Sequence, residues 1–328
     1  MTEKMIKRVL ILLPVGDKQK RQFEEAIIDS EYEFEFIYSE RNKATSEELS
    51  SANIIIGSPP IKMISNSTFL EWVQLGTAGA DEYTVIGALP KGTALTNATG
   101  AFGLAISEYM LGVLLEIYKK LHLYRDNQLQ NFWMDMGSVK TIENSVVLSV
   151  GLGDIGGEFS KRMKALGAYT IGIRRKDTNK PNYIDELYLM EDLDKILPRA
   201  DVIALSLPRT NETYKLFSAE RIAKMKQGSV IINVGRGNAI DTEALCDALE
   251  SGYLSGAGLD VTDPEPLPPN HRLWGIKSAV ITPHISGFYH LQETYDKIIS
   301  ISANNLNRFS KGEDLKNIVD FTTGYRKL

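Results

Sequence analysis

Residues 146–156 read Val-Val-Leu-Ser-Val-Gly-Leu-Gly-Asp-Ile-Gly, a short apolar run that passes straight into a GxGxxG turn. Such a run suits a β-strand buried on both faces. A helical pattern follows over Glu158–Leu166, and a second apolar run over Tyr169–Ile173. Strand, glycine turn, helix and strand in this order form a dinucleotide-binding unit, and each glycine has its own task. Gly151 permits the tight turn, Gly153 lets the backbone approach a pyrophosphate, and Gly156 lets the helix pack closely on the strand. The start of the helix then offers unsatisfied N–H groups and the positive end of its dipole to the phosphates.

The end of the second strand decides which dinucleotide. An acidic side chain there would hydrogen-bond the ribose 2′-hydroxyl of NAD. Here the strand runs into Arg174-Arg175-Lys176, and the only nearby acid, Asp177, lies beyond the strand among three cations. A guanidinium pairs with a 2′-phosphate, whereas a carboxylate repels it. NADP (as NADPH) is therefore expected, with NAD still possible. Arg209, in the loop after the run Val202–Leu207, is a weaker third candidate for the phosphate.

Outward from this unit the alternation continues. Further strands are expected at Val202–Leu205, Val230–Val234, Gly256–Leu259 and Val280–Ile281, with helices between them, which is the rhythm of a doubly wound sheet. The first hundred residues have a similar rhythm: strands at Val9–Leu13, Tyr32–Tyr38, Ile54–Ile56 and Trp72–Leu75, and an amphipathic helix over Lys18–Asp29. A long helix is expected from about Ala105 to Leu129, apolar in its first half and polar in its second. A last helix over Leu291–Phe309 should return to the first domain. The expected fold is α/β, with two Rossmann-like domains. A doubly wound parallel-sheet nucleotide domain, 99–289, is inserted into a smaller flavodoxin-like substrate domain, 1–98 and 290–328.

Composition narrows the functional classes. The 328 residues suit two domains, and 43% hydrophobic with 24% charged residues is ordinary for a globular chain. A net charge of -5 without a basic block argues against nucleic acid. The single cysteine, Cys246, excludes an intramolecular disulfide and fits a cytoplasmic setting. Lys4, Lys7 and Arg8 before Val9–Leu13 resemble the start of a signal peptide. The run is short, however, Pro14 and Gly16 end it, and no cleavage site follows, so a buried first strand is the better reading. No stretch reaches the roughly 20 apolar residues of a membrane span, and no cluster has metal-ligand spacing.

Three segments carry the chemistry, and each follows a strand of the nucleotide domain. The first is Asn233-Val-Gly-Arg236-Gly, where an arginine between glycines could hold a carboxylate or polarise a carbonyl. The second is Leu259-Asp260-Val-Thr-Asp-Pro-Glu265-Pro-Leu-Pro-Pro, a loop made rigid by its prolines. The third, Ile281-Thr-Pro-His284-Ile-Ser-Gly, puts a histidine directly after a strand. Reducing a keto carbon by hydride requires a proton on the carbonyl oxygen, and histidine is the usual donor. A carboxylate beside it would favour its charged form and fix its tautomer. His284 is thus the acid–base candidate and Arg236 the anchor. Composition alone does not choose between Glu265 and Asp263 as the partner. His122 and His271 read as surface or core histidines, while His290, close to His284 in sequence, could line the mouth of a site.

Together these motifs resemble the D-isomer-specific 2-hydroxyacid dehydrogenase family, closest to its NADP-using glyoxylate/hydroxypyruvate reductase branch. The resemblance covers the nucleotide domain sharply and the first domain less so. It implies that Arg236, Glu265 and His284 are the catalytic positions and that Asp260 contacts the nicotinamide amide. Thr99 would approach the nicotinamide, and Asp154, Ile155, Leu207, Pro208, Val234 and Gly235 would complete the cofactor lining. Leu75-Gly-Thr77-Ala78-Gly79 looks like the substrate loop, whose N–H groups form a nest for the carboxylate. Tyr289 would shape the pocket for the substrate side chain. Phe102 stands where many members of that branch carry histidine, which bears on substrate preference. The implied activity is interconversion of a small 2-keto acid and its D-2-hydroxy acid. A bulkier keto acid of the phenylpyruvate type is the rival within the fold, and a non-catalytic dinucleotide sensor the rival outside it. The arm around Trp133 would pack on a partner subunit in a homodimer, or fill core. Trp72 and Trp274 read as core, and Cys246 as structural.

Overall fold

The computed structural model describes residues 5–176, 179–324, 326 and 327; Lys4 and Asp177, both weighed above, lie outside the described residues. The chain divides into two compact units, one taking the chain up to Ala101 and from Tyr289 onward, the other Phe102–Phe288.

The first unit holds β1 (Ile6–Ile11), α1 (Asp17–Glu25), β2 (Glu33–Tyr38), α2 (Ser46–Ser51), β3 (Ile54–Ile56), α3 (Ile61–Ile64), β4 (Trp72–Gln74) and β5 (Ala94–Thr96). Its five strands are parallel in the order β2-β1-β3-β4-β5, which is the flavodoxin-like order. The N-terminal apolar run is β1, with Val9, Leu10 and Ile11 fully buried. At the edge, β2 exposes its glutamates and half-buries Phe34 and Phe36, as its alternating sequence requires.

The second unit holds α4 (Gly103–Tyr118), α5 (Leu121–Leu129), β6 (Val146–Val150), α6 (Asp154–Ala165), β7 (Tyr169–Arg174), β8 (Glu186–Leu189), α7 (Leu193–Ile196), β9 (Val202–Leu205), α8 (Ala219–Ala223), β10 (Val230–Asn233), α9 (Thr242–Glu250), β11 (Gly256–Leu259) and β12 (Ala279–Ile281). Seven parallel strands run β12-β11-β10-β9-β6-β7-β8. The chain therefore builds outward from β6 in one direction, then returns to its other side with β9. That reversal is the switch point at which such sheets bind ligands, outside the carboxyl ends of their strands.

Two strands, β5 and β8, appear where the sequence reading placed none. Both are short edge strands, and β8 follows a polar stretch. The long helix expected from Ala105 to Leu129 is two helices. Lys119 donates to Leu115 O, Lys120 donates to Ile117 O, and Lys120 takes a left-handed backbone, φ 56°. The break falls where the buried face ends. Met110, Val113, Leu114 and Ile117 are buried on α4, with Val113 and Ile117 seated over Gly258 and Gly256 of β11. No residue of α5 is buried, so no packing holds it on the axis of α4.

Finally α10 (Gln292–Ser310) belongs to the first unit, burying Ile298, Ile299 and Leu306. Trp72 is core, as expected: it stacks on Phe309 at 5.6 Å and donates to Thr96 Oγ1. Trp274 is not core. It is 53% exposed, and its Nε1 bonds Pro268 O across the proline loop. Trp133 does not fill core either; it is fully exposed.

Candidate active site

The phosphate turn lies at the switch point, between β6 and α6. Gly151 has φ +95°, and a Cβ on Gly156 would sit 2.0 Å from Gly151 O. At Gly153 a Cβ would meet nothing within 4 Å, so that face of the turn is open. The N–H groups of Asp154, Ile155 and Gly156 have no acceptor among the described residues, the ordinary condition of a helix start. Arg174 closes β7 half-buried, and Arg175 and Lys176 follow exposed. An open turn, uncommitted N–H groups and nearby guanidinium groups fit the phosphates of a dinucleotide. Asp154 has a task the sequence did not disclose: its carboxylate accepts the Gly103 N–H at the start of α4 at 2.9 Å.

Arg236 follows β10 on extended backbone. Asn233 holds the turn from both sides, accepting the Gly235 N–H and donating to Arg236 O. The glycines beside the arginine have packing reasons after all. A Cβ on Gly237 would lie 1.9 Å from Thr262 O, so the loop bearing Glu265 passes directly over it. Arg236 donates to Gly235 O at 2.8 Å.

His284 follows β12. Its Nδ1 lies 2.7 Å from Glu265 Oε1, and the two side chains are 45% and 42% exposed. Geometry thus picks Glu265 over Asp263 as the histidine's carboxylate. Since Glu265 only accepts when ionised, Nδ1 carries the proton and Nε2 is left for a ligand. The His284 backbone is left-handed, φ 54°, which costs a residue with a Cβ about 1–2 kcal/mol. Asp260, 1% exposed, holds that turn. Its backbone oxygen accepts the His284 N–H at 2.8 Å. Its carboxylate accepts the N–H groups of Ile285 and Ser286, at 2.9 and 3.1 Å, and the hydroxyls of Thr282 and Ser286, at 2.6 and 2.5 Å. The sequence reading gave Asp260 only a cofactor contact. Its bracing of the His284 turn was missed because the partners lie more than twenty residues away.

In the first unit, the turn after β4 has its carbonyls and its N–H groups treated differently. Its carbonyls are all engaged: Thr77 O accepts from Ala98 N, Ala78 O from Asn97 Nδ2, and Gly79 O from the Thr77 hydroxyl. The N–H groups of Thr77, Ala78 and Gly79 have no acceptor among the described residues. Tyr289 belongs to this turn's surroundings, since a Cβ on Gly76 would sit 3.0 Å from its hydroxyl. Burial raises the Tyr289 phenol above its ordinary range. Thr99 follows, its N–H on Asn97 Oδ1 and its carbonyl on Asn317. Leu207, Pro208 and Val234 sit on the loops after β9 and β10. His271 caps a short turn by accepting Leu273 N–H, and His122 bonds Glu116 O. His290 is exposed. Among the described residues no helix is long and apolar enough to cross a membrane, and no group of three His, Cys, Asp or Glu could hold a metal.

Residues 111–286 match the sequence model of the D-isomer specific 2-hydroxyacid dehydrogenase NAD binding domain. A glyoxylate reductase of Thermofilum pendens is 31% identical over 274 residues, 80% of this chain and 76% of that protein. A probable 2-ketogluconate reductase of Dictyostelium discoideum is 30% identical over 298 residues, 88% of each chain. Among solved structures, a D-isomer specific 2-hydroxyacid dehydrogenase family protein from Aeromonas salmonicida is 31% identical. It superposes with a TM-score of 0.83 over 96% of this chain and 99% of that one.

Proposed function

The chain belongs to the D-isomer specific 2-hydroxyacid dehydrogenase family, and from that premise we propose that it reduces a small 2-keto acid of the glyoxylate or hydroxypyruvate type to the D-2-hydroxy acid, with NADPH preferred to NADH. The observation that carries this reading is the 2.7 Å His284–Glu265 pair on a turn braced by Asp260.

When bound, the nicotinamide supplies the hydride that reduces the keto carbon. As the imidazolium, protonated on both nitrogens, His284 gives the Nε2 proton to the carbonyl oxygen, which leaves the Nδ1–H tautomer that Glu265 holds. Arg236 anchors the carboxylate and polarises the carbonyl. The N–H groups of Thr77, Ala78 and Gly79 are suited to a carboxylate, and Tyr289 bears on the side-chain preference. Arg174 and Arg175 take the 2′-phosphate. The support for NADPH is the arginine at the end of β7 where an NAD enzyme needs a carboxylate. The support for a homodimer is a set of exposed apolar side chains on and after α5: Leu129, Phe132, Trp133, Met134 and Val139. A cytoplasmic setting fits the one cysteine, which is buried.

Initial rates of NADPH and NADH oxidation with glyoxylate, hydroxypyruvate, pyruvate and phenylpyruvate test this reading. Turnover fastest with NADPH and the two small acids is expected. Fastest turnover with phenylpyruvate would move the substrate to the bulkier class, and tight dinucleotide binding without turnover on any of the four would move the protein to a sensor.

A further inference from the structure

One group near the catalytic loop takes no part in the mechanism above. The Tyr109 hydroxyl, on the second turn of α4, lies 2.6 Å from Thr282 Oγ1. Thr282 Oγ1 in turn lies 2.6 Å from Asp260 Oδ1. The carboxylate can only accept, so the single hydroxyl proton of Thr282 goes to it. Thr282 must then accept from Tyr109. The result is a one-way chain, Tyr109 to Thr282 to Asp260, and its last member spends its remaining capacity on Ile285 and Ser286. The chain thus ends at the peptide groups just past His284, whose left-handed backbone needs outside support.

We propose that Tyr109 is a positioning residue for the proton-transfer step: through Thr282 it fixes the Asp260 carboxylate and so the turn that aims His284. Burial pushes the Tyr109 phenol up to about 12, so it stays a neutral donor throughout the working range of such an enzyme. Linked hydroxyls polarise one another, so losing the outer donor weakens the inner bond as well. The alternative is that Tyr109 only adds stability to α4. That alternative makes no claim on kcat.

The inference rests on His284 being the acid, and the test separates the two. Tyr109→Phe, Thr282→Val, Thr282→Ser, His284→Ala and the control Tyr118→Phe, which removes a phenol elsewhere on α4, are compared in the full chain. Tyr109→Phe should lower kcat for keto-acid reduction by about tenfold, the equivalent of about 1.4 kcal/mol in activation free energy. The Kd for NADPH and the keto-acid KM should stay within about twofold of wild type. Thr282→Val should lose at least as much, Thr282→Ser should regain most of that loss, and Tyr118→Phe should leave kcat in place. If His284→Ala is inactive while Tyr109→Phe keeps the wild-type kcat, the positioning role is overturned and the mechanism stands. A Tyr109→Phe loss that lies wholly in NADPH affinity also overturns it. Should His284→Ala itself turn over normally, the acid assignment falls first.

Discussion

Asp260 and His284 show how one buried carboxylate can set the direction of another side chain. His284 takes a left-handed backbone, unusual for a residue with a Cβ. Four hydrogen bonds to the Asp260 carboxylate, and one to its carbonyl, hold the turn in place. If His284 is the proton donor proposed above, replacing it with Ala removes that donor without touching the phosphate turn. We expect kcat to fall by about 10²–10⁴-fold while NADPH still quenches tryptophan fluorescence with an unchanged midpoint; near-normal kcat would remove His284 from the mechanism. At the other end of the cofactor, Arg174→Asp should raise the KM for NADPH by at least about tenfold and leave that for NADH nearly unmoved. Equal changes for the two would mean that the arginine does not read the 2′-phosphate. Arg236 and His284 stood out in the sequence because each lies in a short motif that follows a strand, whereas the choice of Glu265 over Asp263 came from the family resemblance and agrees with the 2.7 Å contact to His284. Asp260's bracing and the Tyr109 chain were not legible. They depend on pairs up to 173 positions apart, and a hydroxyl on a helix gives no sign of its partner until the fold is known.

At the scale of elements, long apolar runs were the most legible. Fully buried strands such as β6, β9 and β10 announce themselves as apolar runs, whereas β8 is half-buried along its whole length and reads as loop. Charge and phenol contacts hold β8 in place instead. Glu186 on β8 takes two bonds from Arg199, at 2.5 and 3.0 Å, and others from Tyr169 and Tyr188. The Arg199 guanidinium first, then the Tyr188 hydroxyl, hold the Glu186 carboxyl down at about 2, against an ordinary 4.5. Because the folded value lies below the unfolded one, this stabilisation is fully present above pH 4.5 and is lost as the pH falls toward 2. The pair is partly exposed, so screening leaves about 1 kcal/mol of it. Glu186→Gln should therefore lower the urea midpoint at pH 7 and approach the wild-type midpoint at pH 3. An equal deficit at both pH values would mean that packing, not charge, fixes β8. The broken long helix teaches the complementary lesson. The helical period runs on through α5, but only α4 has a face to bury, and the axis holds only where there is packing.

For the whole molecule, the alternation of strands and helices was enough to give two parallel sheets, because each β–α–β crossover in one hand leaves few other arrangements. The order of the strands, and with it the switch point beside Gly151, came with the structure. The exposed apolar side chains around Trp133 are the feature with the least explanation inside one chain. If they seat a second copy, sedimentation velocity should show a dimer, and Phe132→Arg combined with Trp133→Arg should shift it to monomer; a wild-type monomer at micromolar concentration would end that reading. The most direct test of the central claim is a paired assay of NADPH oxidation with glyoxylate or hydroxypyruvate, wild type against His284→Ala. Rapid turnover by the wild type and near-complete loss in the variant, at equal cofactor affinity, is the expected result. Failure of the wild type to turn over either acid, or equal rates for the two proteins, would contradict it.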